Sequence, residues 1–252
     1  MLNQQLIERY CFLILSLEII SMGIIFINHA NLGINSFSSF PYVLSSYFKL
    51  SNFSFELLLQ ILFIILQIMI FGKKFKKIQL FQLVIWLFLY LFLAINNIIF
   101  LRDFYPKYYL IKIIFLLIGS FMVGIGINIQ LTIKTLFSPE EGLLYSIFKT
   151  FHYNLCYIKI SIDLLLIILS SIFSYFTFNK IIGIKEGTII SCLFVGYFIG
   201  KSYSKVKNII IDFVYRNFPE KKGEEHFNND LFIDDEFYNK KEDFVNSLHM
   251  WE

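Results

Sequence analysis

Between Tyr10 and Tyr203 the chain alternates long apolar runs with short polar or basic breaks, and six of the runs approach the length of a membrane span. About 20 residues are needed to cross roughly 30 Å of hydrocarbon at about 1.5 Å per residue. The runs lie near Tyr10 to Asn28, Phe53 to Gly72, Ile78 to Phe100, Ile113 to Ile133, Ile160 to Asn179 and Glu186 to Tyr203. The third and fourth hold no charged residue. The sixth is the weakest, because its uncharged stretch from Gly187 to Gly200 is short and contains Gly196. Runs of this length satisfy their backbone in lipid as helices, so the predicted fold is an all-α polytopic membrane protein with six transmembrane helices.

The second half repeats the first at a displacement of 103 residues. Without a gap, Gly23 falls on Gly126, Asn35 on Ser138, Tyr42 on Tyr145, Phe48 on Phe151, Glu56 on Lys159 and Gln60 on Asp163. Three spans per copy is an odd number, so the copies must face opposite ways, which is the inverted-topology plan of many transporters. The organisation expected is a first three-span repeat over residues 1–104, a second over 105–207 and a tail over 208–252.

Each copy also holds a segment too polar to span and too apolar to lie in water, from Asn31 to Asn52 and from Lys134 to Asn154. Ser138-Pro139-Glu140-Glu141 reads as a helix start, with Ser138 at the N-cap, Pro139 in the first helical position and Glu141 closing a capping box. Asn35 aligns with Ser138 and is itself a favoured N-cap residue. A short interfacial or re-entrant helix is therefore predicted in each copy, from Pro139 in the second and from Asn35 to about Tyr47 in the first.

Composition agrees with the pattern. The 252 residues are 57% hydrophobic and 16% charged, too apolar for an ordinary soluble domain. Charge divides sharply: residues 220–252 carry −6 and the rest +9, within a net +3. Counted by side, twelve Lys and Arg fall with the termini and six opposite, the largest cluster being Lys73, Lys74, Lys76 and Lys77. Basic residues stay on the cytoplasmic side, so both termini are expected there, and the first span, which contains Glu18, is expected to be retained. Cys11, Cys156 and Cys192 have neither metal-ligand spacing nor a paired framework.

Asn31-Leu32-Gly33 followed by Ser36 to Pro41, Lys159 with Asp163, and the stretch Gly183 to Ile189 together resemble the YczE/YyaS/YitT family of bacterial membrane proteins. Where many members carry Trp or Asp shortly after the Leu-Gly, this chain has Ile34-Asn35-Ser36-Phe37. The resemblance covers roughly Arg9 to Val206 and implies a multi-span bacterial inner-membrane protein, in a family whose activity is largely unassigned.

Polar and ionisable side chains inside an apolar span are costly and so mark candidate sites. Lys159 and Asp163 are one helical turn apart and can pair, and Glu56 and Gln60 hold the equivalent positions. One reading has Gln60 and Asp163 facing each other across a central cavity. The other makes each pair a local network at a helix start. Glu18, Gln82 and Thr188 complete the candidate cavity, while Gln67, Gln82, Asn96 and Asn97 could equally join helices. No nucleophile-base spacing, phosphate loop or cofactor motif appears, so neither an enzyme, a cofactor nor a nucleic-acid partner is expected. The partners expected are the bilayer and a small-molecule solute. The competing expectation is a regulatory or scaffold protein that engages a cytoplasmic protein through the acidic tail.

Overall fold

The computed structural model describes residues 2–99 and 106–217. The acidic tail beyond Asn217, and with it the expected docking segment, lies outside the described residues. Eight α-helices follow in chain order: α1 (Leu2–His29), α2 (Ser36–Phe48), α3 (Asn52–Phe71), α4 (Gln82–Ile99), α5 (Tyr109–Ile133), α6 (Pro139–Phe151), α7 (Leu155–Phe178) and α8 (Glu186–Asn217). Two short 3₁₀ turns, Gly72–Lys74 and Lys77–Phe81, carry the lysine cluster between α3 and α4.

Among the described residues, five stretches are long and apolar enough to cross a membrane: Ile7–His29, Asn52–Phe71, Lys77–Ile99, Tyr109–Ile133 and Leu155–Phe178. Their outward faces are bare hydrocarbon, with Met69 74% and Phe176 80% exposed, as expected where lipid is the solvent. The chain is a multi-pass membrane protein. The sixth expected span, α8, is not among the five, because Lys201, Lys205 and Lys207 follow closely on its apolar stretch.

The backbone keeps the 103-residue register closely. The short helices α2 and α6 have equal length and begin and end at matched positions. Each ends on a left-handed residue, Lys49 and His152, and each is preceded by another, Asn31 and Lys134. The next helices start on matched caps: the Ser51 side chain accepts from the Ser54 N–H at 3.3 Å, and Asn154 accepts from the Cys156 N–H at 2.9 Å. A side-chain acceptor at an N-cap satisfies one of the four orphan donors of a helix start, so two polar residues define both beginnings.

The centre of the molecule is the crossing of α1 and α5. A Cβ on Gly23 would stand 2.7 Å from the Gly119 carbonyl oxygen and 2.8 Å from Val123 Cγ2, and one on Gly126 would stand 3.0 Å from the Ser16 carbonyl oxygen and clash with Ile20 Cγ1. These are two contacts at equivalent positions, since Gly23 matches Gly126, Ser16 matches Gly119 and Ile20 matches Val123. Small residues let the two backbones approach where lipid supplies no hydrophobic drive. Around this crossing α4 packs on α1 and α8 on α5, while α2 packs on α7 and α6 on α3. The short helix of each copy is thus held by a long helix of the other.

One further contact joins the segments that carry the family resemblance. The Gly187 N–H donates to the Leu32 carbonyl at 2.8 Å and the Ile34 N–H to the Gly183 carbonyl at 3.0 Å. Gly33 takes φ +126°, with Thr188 Oγ1 where a Cβ would clash, so only glycine fits that turn.

Candidate functional site

The first turns of α2 and α6 meet the second and third turns of α3 and α7 beside the α1–α5 crossing, and together they line a cavity of about 40 Å³. Its wall is built from matched pairs: Ile20 and Val123, Ile24 and Ile127, Asn35 and Ser138, Phe37 and Glu140, Ser38 and Glu141, Glu56 and Lys159, Gln60 and Asp163. Residues of α4 and α8 close it, including Trp86 and Val195. Positions equivalent in sequence therefore converge on one space.

The second-copy wall is an ionic network. Lys159 Nζ donates to Asp163 Oδ1 at 2.8 Å and to Glu140 Oε1, all three residues being buried. The other Asp163 oxygen, Oδ2, accepts from the Ser36 hydroxyl at 2.9 Å, a bond between the two copies. Burial raises the Glu140 carboxyl above its usual range, and the neighbouring Lys159 opposes that shift. Glu141 is pushed up to about 8, first by burial and then by the Glu140 carboxylate beside it.

The first-copy wall is quieter. Glu56 Oε1 accepts from the Asn52 amide at 2.7 Å, and Ser38 faces the cavity nearby. Gln60 is 2% exposed, yet its Oε1 has no partner. Two oxygens of the second copy share that state: Ser138 Oγ and Glu141 Oε2 are buried and unpartnered.

Those two atoms correct the capping expectation. Ser138 and Asn35 do stand at the N-caps of α6 and α2, but neither side chain makes a cap bond. The capping box is not formed. The Ser138 backbone N–H is taken by Gln130 Oε1 at 3.4 Å, so Glu141 is not needed behind it, and both Ser138 and Glu141 line the cavity instead. The Asn35 N–H is taken by Asn28 Oδ1 at 3.2 Å.

Of the candidate cavity residues, the structure brings Glu56, Gln60, Lys159 and Asp163 together and leaves three elsewhere. Glu18 is half-buried on α1, where Asn96 Nδ2 donates to it at 2.8 Å and to Ser21 Oγ at 2.8 Å. Gln82 exchanges two hydrogen bonds with Gln67, at 3.0 and 2.9 Å, and Gln67 also donates to the Pro139 carbonyl. This amide pair ties α3 and α4 to the start of α6. Thr188 is buried at the Gly33 turn, accepting from the Lys185 N–H at 3.4 Å. Sequence reasoning missed Ser36, Ser38 and Glu140. The first turn of α6, acidic at two adjacent positions, was the signal that could have found Glu140.

Residues 7–203 match the model of a family described as a family of unknown function, DUF6198. No curated protein and no solved structure matches the chain.

Proposed function

The chain belongs to DUF6198, a family of unknown function, and from its site we propose that it is a small-solute transporter, or solute-binding membrane protein, whose site lies between two inverted repeats. The observation that carries this reading is the cavity wall: fourteen of its residues form seven pairs, each 103 apart. A site on the axis between repeats is the place where rocking one repeat against the other exposes the same groups to each side in turn. On this reading α8 is the sixth span, its basic end snorkelling to the interface, and both termini are cytoplasmic in a bacterial inner membrane. The resemblance to the YczE/YyaS/YitT family supports the setting and leaves the solute open.

Each buried oxygen left without a partner costs about 1 to 3 kcal/mol; three such oxygens belong to residues that line the cavity, and the same state occurs away from it at Asn52, Asn128 and Thr135. The test is side-specific access. In a background with Cys11, Cys156 and Cys192 replaced by Ser, Ser138→Cys is challenged with a membrane-impermeant thiol reagent from each face of oriented vesicles. Transport requires modification from both faces over time. Modification from one face alone, or from neither, sinks the transport reading.

A further inference from the structure

Three residues that line the cavity, Gln60, Ser138 and Glu141, are 2%, 1% and 4% exposed, and each holds a buried oxygen without a partner: Oε1, Oγ and Oε2. We propose that the cavity holds one small monovalent cation, an alkali-metal ion or ammonium, ligated by these oxygens. The proposal rests on the reading of this cavity as the solute site and names the class of solute.

Charge, donor inventory and size lead to the same class. Four carboxyl groups line the space, Glu56, Glu140, Glu141 and Asp163, against one ammonium, Lys159. Lys159 is already committed to Glu140 and Asp163, so it does not supply the missing donor. A carboxylate oxygen and an amide oxygen are acceptors, and a hydroxyl can accept. Once Glu141 is ionised, what the three lack in common is a positive charge or an N–H donor.

A cavity of about 40 Å³ has room for a dehydrated ion with about one or two waters, given that one water needs some 10 to 15 Å³ of such space. Sugars, amino acids and nucleotides do not fit. An anion would face the carboxylates. A divalent ion calls for several charged ligands, and among the described residues no three Asp, Glu, His or Cys side chains gather as such an ion requires. Monovalent ions are content with neutral oxygens and one carboxylate, which is the set on offer.

The fold supplies its own reporter. Trp86 lines the cavity and is buried, and the other tryptophan, Trp251, lies in the tail. The full chain carrying Trp251→Phe, in lipid nanodiscs, is titrated with sodium, potassium or ammonium chloride against N-methylglucamine chloride at constant ionic strength. Trp86 emission should change saturably with at least one small ion and not with N-methylglucamine, and the order among the three separates a metal ion from ammonium. Gln60→Leu and Glu141→Gln should weaken the response at least tenfold. Ser138→Ala removes a single oxygen at little change in volume and should weaken it several-fold, which decides the matter if the other two variants do not fold.

Silence with all three ions, as for a cavity holding water alone, overturns the proposal. So does an unchanged affinity in Ser138→Ala. The access experiment on Ser138→Cys distinguishes the two readings: access from both faces with no cation response removes the cation and leaves transport, while saturable binding without two-sided access keeps the cation site and removes transport.

Discussion

The two arms of the cavity stand on the same backbone and use different chemistry. Around α6 and α7, Lys159 is clamped between Glu140 and Asp163, and Asp163 is anchored again by Ser36. Around α2 and α3, the matched positions hold Glu56, bonded to its own helix neighbour Asn52, and Gln60, whose oxygen is idle. The second-copy arm is thus locked by charge in a place where charge is expensive to strand, while the first-copy arm is only lightly tied. The paired scaffold places the site, and its chemistry is set by where the pairing breaks.

The comparison is broken most severely at Lys159. Lys159→Met leaves Glu140 and Asp163 buried without their counter-charge, a change worth about 3 to 5 kcal/mol. The matched change Glu56→Gln keeps an acceptor for Asn52 and should cost about 1 kcal/mol or less. Thermal unfolding of the two variants in nanodiscs checks the contrast; equal losses would mean that the arms are not energetically distinct.

The α1–α5 crossing should behave oppositely, as a place where the copies are equivalent. Gly23→Ala and Gly126→Ala each drive a methyl group into backbone and side chain of the facing helix, and overpacking of this kind costs about 1 to 3 kcal/mol. Similar losses in thermal midpoint are expected from both. A loss at one position only would show that the contact is less reciprocal than its geometry.

The pH dependence isolates Glu141. Its folded carboxyl titrates at about 8, above the ordinary carboxylate value of 4.5, so between those values the folded state binds more protons than the unfolded one. Stability contributed by this group therefore falls as pH rises from 4.5 to 8 and is level beyond. Glu141→Gln should flatten that part of the profile, read as thermal midpoint against pH. Because an ionised Glu141 is the better cation ligand, ion affinity in the parent chain should rise from pH 7 to pH 9. The other charged groups lining the cavity are Glu140 on the same helix, Glu56 on α3, and Lys159 and Asp163 on α7.

The smallest effects belong to the matched caps. Asn154→Ala should cost about 1 kcal/mol and Ser51→Ala somewhat less, since the Asn154 cap bond is 2.9 Å and the Ser51 bond 3.3 Å. The reverse order would mean that neighbours, not the cap bond, decide these helix starts.

Much of this was legible before the fold. The apolar runs predicted five of the long helices, and Pro139 predicted the first residue of α6 because its fixed φ and missing N–H suit a helix start. The displacement of 103 placed α2 at its observed length, within a residue of the predicted end. The assignments that differed share a cause. Local spacing predicts a capping box from Ser138 and Glu141, but Gln130, eight residues upstream, reaches the Ser138 N–H and releases both side chains. Gln82 and Thr188 open the last helix of each copy, a position that predicts a place at the cavity, yet each is bound locally, Gln82 by Gln67 and Thr188 at the Gly33 turn.

By itself the sequence determined the helices and several of their ends, because these follow from hydrophobic length and backbone preference, both properties of neighbours along the chain, whereas α1, α7 and α8 extend beyond the apolar runs that predicted them. The tertiary structure alone decided which polar groups share one space. Ser36 meets Asp163 across 127 residues, and Gln67 meets Pro139 across 72. A buried polar atom takes whichever partner packing brings within reach, and where packing brings none, as at Gln60, Ser138 and Glu141, it leaves the oxygens on which the proposed ion site depends.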